Sequence, residues 1–105
     1  MSKIVIDYEK KEYVLEYNRQ SVKTMESQGF DLSEITSKPM TMIPLLFSGA
    51  FIKNCKGTKR AVIDAIYEGI GNKTDLMNAL IEMYSDTLST LTDDTEGNVT
   101  WTLTK

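Results

Sequence analysis

Histidine is absent from this chain of 105 residues, and cysteine occurs once. The first absence removes the commonest general base and the commonest zinc ligand together. The lone Cys55 has no intramolecular disulfide partner and reads as a small buried hydrophobe in a reducing compartment. Long apolar runs are missing too. The longest is broken by Pro44, Ser48, Gly49 and Lys53, well short of the ~20 residues that a membrane span needs. The chain opens Ser2-Lys3-Ile4-Val5-Ile6-Asp7 after Met1, so charge arrives before any apolar stretch of signal-peptide length. Cytoplasmic location is the expectation. An excess of basic residues is also lacking: the net charge is −3, which gives no global attraction to nucleic acid or anionic lipid. With no repeat, linker or low-complexity tract, the expectation is one domain over 1–105.

What is present reads as an α+β pattern. Residues 3–7 and 12–17 alternate as two strands, joined through Tyr8-Glu9-Lys10-Lys11 into a hairpin whose turn lacks the Asn-Gly signature. Asn18 is a good N-cap for a helix over 19–28, with Val22, Met25 and Ser21 facing inward. Gly29 supplies the stop and Phe30 the apolar contact after it. A connector over 31–40 has room for one helical turn anchored by Leu32 and Ile35. Thr58 starts a helix with a stripe of Val62, Ile63, Ile66, Tyr67 and Ile70. A last helix begins at Asn72 or Thr74 and runs to about Leu91, with Leu76, Leu80, Met83 and Tyr84 on one face and Leu88 and Leu91 extending it. The chain then passes through an acidic loop to Val99-Thr100-Trp101-Thr102-Leu103, which alternates as a strand. An isolated terminal strand is unstable, so it is expected to join the hairpin in a three-stranded antiparallel sheet, with Trp101 against Tyr17 and about four helices between.

Residues 39–55 are the most informative stretch. Read as a helix over 41–56, capped by Thr41 and with Pro44 in its first turn, the segment carries apolar side chains in nearly every direction. Met42, Leu45, Leu46 and Gly49 follow one stripe, and Ile43, Phe47, Ala50 and Phe51 another. A helix apolar all round is either the centre of the core or partly reserved for a partner. The partner-binding expectation assigns docking to Met42, Leu45, Leu46 and Gly49, spaced i, i+3, i+4 and i+7, with Met40 and Phe47 at the margins. In the competing reading these residues are core. Methionine at a binding surface accommodates varied partners, and in a core it fills gaps.

Other features carry less chemistry. Lys53, Lys56, Lys59 and Arg60 form the basic cluster at a helix–Gly–helix corner, which invites a DNA-binding helix-turn-helix reading. Against it, the next helix shows Asp64 and Glu68 where base-reading residues would stand. Asp93, Asp94 and Glu96 lack the register of a calcium loop. Ser48-Gly49 has no partner base, and Gly69-Ile70-Gly71 lacks the continuation of a phosphate loop. No catalytic, cofactor or metal residues are therefore assigned, and the chain reads as a binding protein.

Several segments together carry a resemblance: Tyr17-Asn18-Arg19, Met25-Glu26-Ser27-Gln28-Gly29-Phe30 and Lys38-Pro39-Met40-Thr41-Met42. Further on come Leu45-Leu46-Phe47-Ser48-Gly49-Ala50-Phe51, Ile66-Tyr67-Glu68, Glu82-Met83-Tyr84 and Gly97-Asn98-Val99-Thr100-Trp101. Over about Tyr13 to Trp101 the chain resembles the small tail-assembly chaperones of long-tailed phages and prophages of Firmicutes, and the run from Lys38 to Phe51 is its most specific part. The resemblance implies a non-enzymatic role: binding the long, apolar, helical tape-measure protein and helping to recruit tail-tube subunits around it. It implies action in the bacterial host cytoplasm and absence from the mature virion. It also raises self-association along a client, and a longer frameshifted product of the same gene. The alternatives from other classes are a small DNA-binding regulator using the basic corner and a structural tail component.

Overall fold

A computed structural model describes residues 3–92, 99 and 102–104. Strands β1 (Ile4–Tyr8) and β2 (Lys11–Leu15) form an antiparallel hairpin. Helix α1 (Arg19–Ser27) follows, then a 3-10 turn (Leu32–Glu34), helix α2 (Pro39–Gly49), helix α3 (Arg60–Gly69) and helix α4 (Lys73–Ser89), which runs into a second 3-10 turn (Thr90–Thr92). Among the described residues this is an α+β arrangement of four helices with a two-stranded sheet. The strand expected over 99–103, its Trp101 contact and the acidic loop before it fall mainly on residues outside the described set. Val99 and Leu103, which are described, are exposed and outside any strand.

The hairpin register follows from the alternation. Ile4 faces Leu15 and Ile6 faces Tyr13 on the core side, while Val5 faces Val14 on the other. The connection is tighter than the residue types announce. Glu9 and Lys10 form a two-residue loop with φ of 50° and 64°, the left-handed pair that a right-twisted hairpin requires even without Asn-Gly.

Helix α1 is closed at both ends by short-range chemistry. Asn18 Oδ1 accepts from the Ser21 N–H at 2.7 Å, and Ser21 Oγ accepts from the Asn18 N–H at 2.9 Å, a reciprocal capping box. At the other end Gly29 sits at φ 95°, and the Phe30 N–H reaches back to the Met25 carbonyl at 3.0 Å. That turn delivers Phe30 onto Tyr84 of α4, ring centroids 5.1 Å apart.

Helix α2 departs from expectation at both ends. It starts at Pro39, with Lys38 as cap residue, so Thr41 lies inside it and Pro44 stands beyond the first turn. Proline at the first helical position costs nothing, because that N–H would be unpaired anyway. Pro44 has no N–H to offer the Met40 carbonyl four residues back, and Met40 lies at the surface. The helix ends at Gly49 instead of continuing to 56, because the chain is drawn onto β2. The Glu16 N–H donates to the Ala50 carbonyl at 3.1 Å, and Asn54 Nδ2 donates to the Val14 carbonyl at 3.3 Å. Ala50, Asn54 and Cys55 thus lie against Val14 and Glu16 at the end of β2 before α3 begins.

The core lies where α1, α2 and α4 meet the hairpin. Leu15, Met25, Leu46, Phe47, Phe51 and Leu80 are essentially inaccessible, and burying such side chains contributes roughly 1.5–3 kcal/mol each. Edge-to-face contacts link Phe47 to Phe51 at 5.2 Å and Phe51 to Tyr13 at 5.9 Å.

Candidate functional site

The six residues expected at a docking face are divided by the structure. Met42, Leu46, Phe47 and Gly49 are buried, Leu45 is half-buried, and Met40 is 89% exposed. Each buried member has its own partner within the chain. The Leu46 carbonyl accepts the Tyr17 hydroxyl at 2.5 Å, Met42 Sδ accepts the Asp31 N–H at 3.4 Å, and Gly49 lies against the Met25 side chain. Phe47 bridges to Tyr67 of α3, ring centroids 5.2 Å apart.

A groove opens between α2 and α3, with a volume of about 420 Å³. Its α2 wall is Pro39, Met40, Ile43, Pro44 and Phe47, and its α3 wall is Ile63, Asp64, Tyr67 and Glu68. Met40, Ile43, Pro44 and Phe47 have the i, i+3, i+4, i+7 spacing of a helical stripe, two residues displaced from the stripe expected from the sequence. Phe47 forms the floor, and Met40 stands at the rim with nearly all its surface in solvent. Pro44 is exposed on that wall and has no N–H of its own. On α3, Ile63 and Tyr67 make an apolar row one turn long, and Asp64 and Glu68 an acidic row beside it. Neither carboxylate has an ion-pair partner among the described residues, where the ion pairs are Lys38–Glu34 at 3.3 Å and Lys53–Glu16 at 3.2 Å.

The sequence reading placed Ile63 and Tyr67 in a stripe and Asp64 and Glu68 on a surface. It did not bring them opposite Met40. The available signal was the alternation of an apolar and an acidic pair at i, i+4 on one helix. The opposing wall depends on how α2 and α3 pack, which no local pattern specifies.

The basic cluster is arranged otherwise than at a helix-turn-helix. Ten residues, 50–59, separate α2 from α3, where such a motif has three or four. Lys53 is held by Glu16, which also accepts from Asn54 Nδ2 at 2.8 Å. The Asn54 hydrogen bond, followed by that of Lys53, keeps the Glu16 carboxyl below its ordinary range. Lys56 and Lys59 border a shallow depression beside Lys11, Glu12 and Tyr13, and Arg60 starts α3. Cys55 is half-buried with Sγ 3.7 Å from the Val14 carbonyl. No helix among the described residues is long and apolar enough to cross a membrane.

No curated protein and no solved structure matches the chain. A family model does, over residues 1–104: the chain belongs to the family described as Domain of unknown function (DUF5055).

Proposed function

We propose that this protein is a phage tail-assembly chaperone, a non-enzymatic binder that holds an apolar helical tape-measure protein in the host cytoplasm and helps recruit tail-tube subunits around it. The observation that carries the proposal is the α2–α3 groove with Met40 exposed at its rim. Its α2 wall lies wholly within the run from Lys38 to Phe51 on which the resemblance to the tail-assembly chaperones is most specific. A solvent-exposed methionine above an aromatic floor provides an adaptable apolar surface, and a stripe at i, i+3, i+4 and i+7 matches the pitch of a client helix. The absence of histidine from the chain fits a binding role better than acid–base chemistry.

The test is co-expression with the tape-measure protein of the same genome, followed by affinity purification and light scattering. The expected result is a soluble complex of defined stoichiometry, with the client insoluble when expressed alone. A protein that leaves the client insoluble and is recovered from purified virions would be a structural tail component. Salt-sensitive DNA binding without client binding would establish the regulator instead.

A further inference from the structure

The walls of the groove differ in charge, and that difference specifies its occupant more narrowly than apolar character does. The α2 wall is uncharged over Pro39, Met40, Ile43, Pro44 and Phe47. The α3 wall pairs its apolar row, Ile63 and Tyr67, with a parallel acidic row, Asp64 and Glu68, both exposed and without an ion-pair partner among the described residues. Arg60, one turn before Asp64 on α3, neither lines the groove nor makes an ion pair among the described residues, and two other neighbouring cations are engaged elsewhere. Lys38 is paired with Glu34. Lys73 donates to the Ile70 carbonyl at 2.8 Å and lies 5.4 Å from the Tyr67 ring centroid, closing the end of α3 rather than neutralising its carboxylates. Whatever enters the groove therefore meets apolar side chains on two sides and negative charge along one edge.

We infer that the groove takes an amphipathic helical segment with lysine or arginine beside its apolar anchors. The anchors fill the space over Phe47, and the cations lie along Asp64 and Glu68. One turn separates the two carboxylates on α3, and cations at i and i+4 on a client helix repeat that spacing. A client with acidic flanks would place like charges side by side, and this edge would reject it. The inference rests on the groove being the client site proposed above, and it adds the client's charge pattern.

The test uses three synthetic helical peptides with the same leucine anchors at i, i+3, i+4 and i+7, flanked by lysine, glutamine or glutamate. Binding to the full-length chain is read by fluorescence anisotropy. The lysine peptide is expected to bind more tightly than the glutamate peptide by on the order of three- to tenfold, the range of two exposed ion pairs. That margin should shrink as salt is raised. In Asp64→Lys/Glu68→Lys, with folding verified by circular dichroism, the preference is expected to invert. Equal binding of the three peptides, binding of none, or an unchanged preference in the charge-reversed variant overturns the inference. The same variant co-expressed with the tape-measure protein separates the two proposals. A client still fully solubilised leaves the chaperone reading standing and overturns the charge pattern. Lysine-selective peptide binding by the wild-type protein, with the client left insoluble, does the reverse.

Discussion

Gly49 and Met25 are in such close contact that a Cβ on Gly49 would stand 2.6 Å from Met25 Cγ and 2.7 Å from its Cε. Only a glycine at the end of α2 lets α1 and α2 approach this closely. Met25 is fully buried and has little room to move aside. Gly49→Ala is therefore expected to destabilise the fold by about 1–3 kcal/mol, as overpacked cores do, despite alanine's better helix propensity. Met25→Ala alone is expected to cost about 2–5 kcal/mol through the cavity it leaves. The double variant should cost clearly less than the two together, because the new methyl occupies part of that cavity. Urea unfolding of the four proteins measures the coupling, and strict additivity would contradict the contact.

Tyr17 ties β2's exit to the end of α2. Its hydroxyl satisfies the Leu46 carbonyl, while the Ala50 N–H, the helical partner of that oxygen, turns to Phe47 and Ser48. Burial, and then the neighbouring Tyr84, push the Tyr17 phenol well above its ordinary value. As pH rises past about 10, the ordinary tyrosine value, the unfolded chain loses this proton first. The unfolded state then binds fewer protons than the folded one, so stability falls with pH. Wild type should lose stability steeply above pH 10. Tyr17→Phe should cost about 1–3 kcal/mol at neutral pH, for the stranded carbonyl, and show a shallower alkaline decline. Denaturation midpoints across that range check both effects.

The hairpin loop holds two non-glycine residues, Glu9 and Lys10, at positive φ. The left-handed conformation costs such residues roughly 1–2 kcal/mol each, and Asn-Gly fits this turn type. Glu9→Asn/Lys10→Gly is expected to raise stability by about 1–2 kcal/mol without changing the register of β1 and β2. A rise in the thermal midpoint checks it, and a loss of stability would contradict the two-residue turn.

Met40 and Met42 are two residues apart and have opposite surroundings. Met40→Gln should leave stability within about 0.5 kcal/mol of wild type, as surface changes do, and should weaken client retention. Met42→Gln puts an amide into the core and should cost about 2–3 kcal/mol. Any loss of binding there should track unfolding seen by circular dichroism. If Met40→Gln retained the client fully, the groove would not be its site.

Much of the fold is legible in the sequence, because short-range chemistry set it. The alternation of Ile4, Ile6, Tyr13 and Leu15 gives the hairpin, and Asn18 and Gly29 bound α1. The interior stripe of α4 is also as expected through Leu80, Met83 and Tyr84, although Leu91 beyond it is exposed. Helix α2 was harder. Its start turned on Pro39 serving as the first helical residue, where Thr41 looked the better cap. Its end turned on Ala50 and Asn54 reaching Glu16 and Val14, contacts between residues more than thirty apart in the chain. The candidate site was legible only in Met40 and, as the groove floor, Phe47. With apolar residues on all sides of α2, the pattern could not say which stripe is covered. Met25 covers Gly49 and Tyr17 meets Leu46, so the remaining stripe, Met40, Ile43 and Pro44, faces the groove.

The central claim is that the client enters between α2 and α3. The methionine methyl groups report on it directly, since Met40 stands at the groove while Met25, Met42 and Met83 are buried. The measurement is a methyl NMR spectrum of the methionine-labelled protein, with and without a soluble segment of the tape-measure protein. The account predicts that the Met40 signal, assigned by its loss in Met40→Gln, shifts or broadens first while Met25, Met42 and Met83 stay in place. A bound client that leaves Met40 unmoved, or that moves the buried methionines instead, would contradict it.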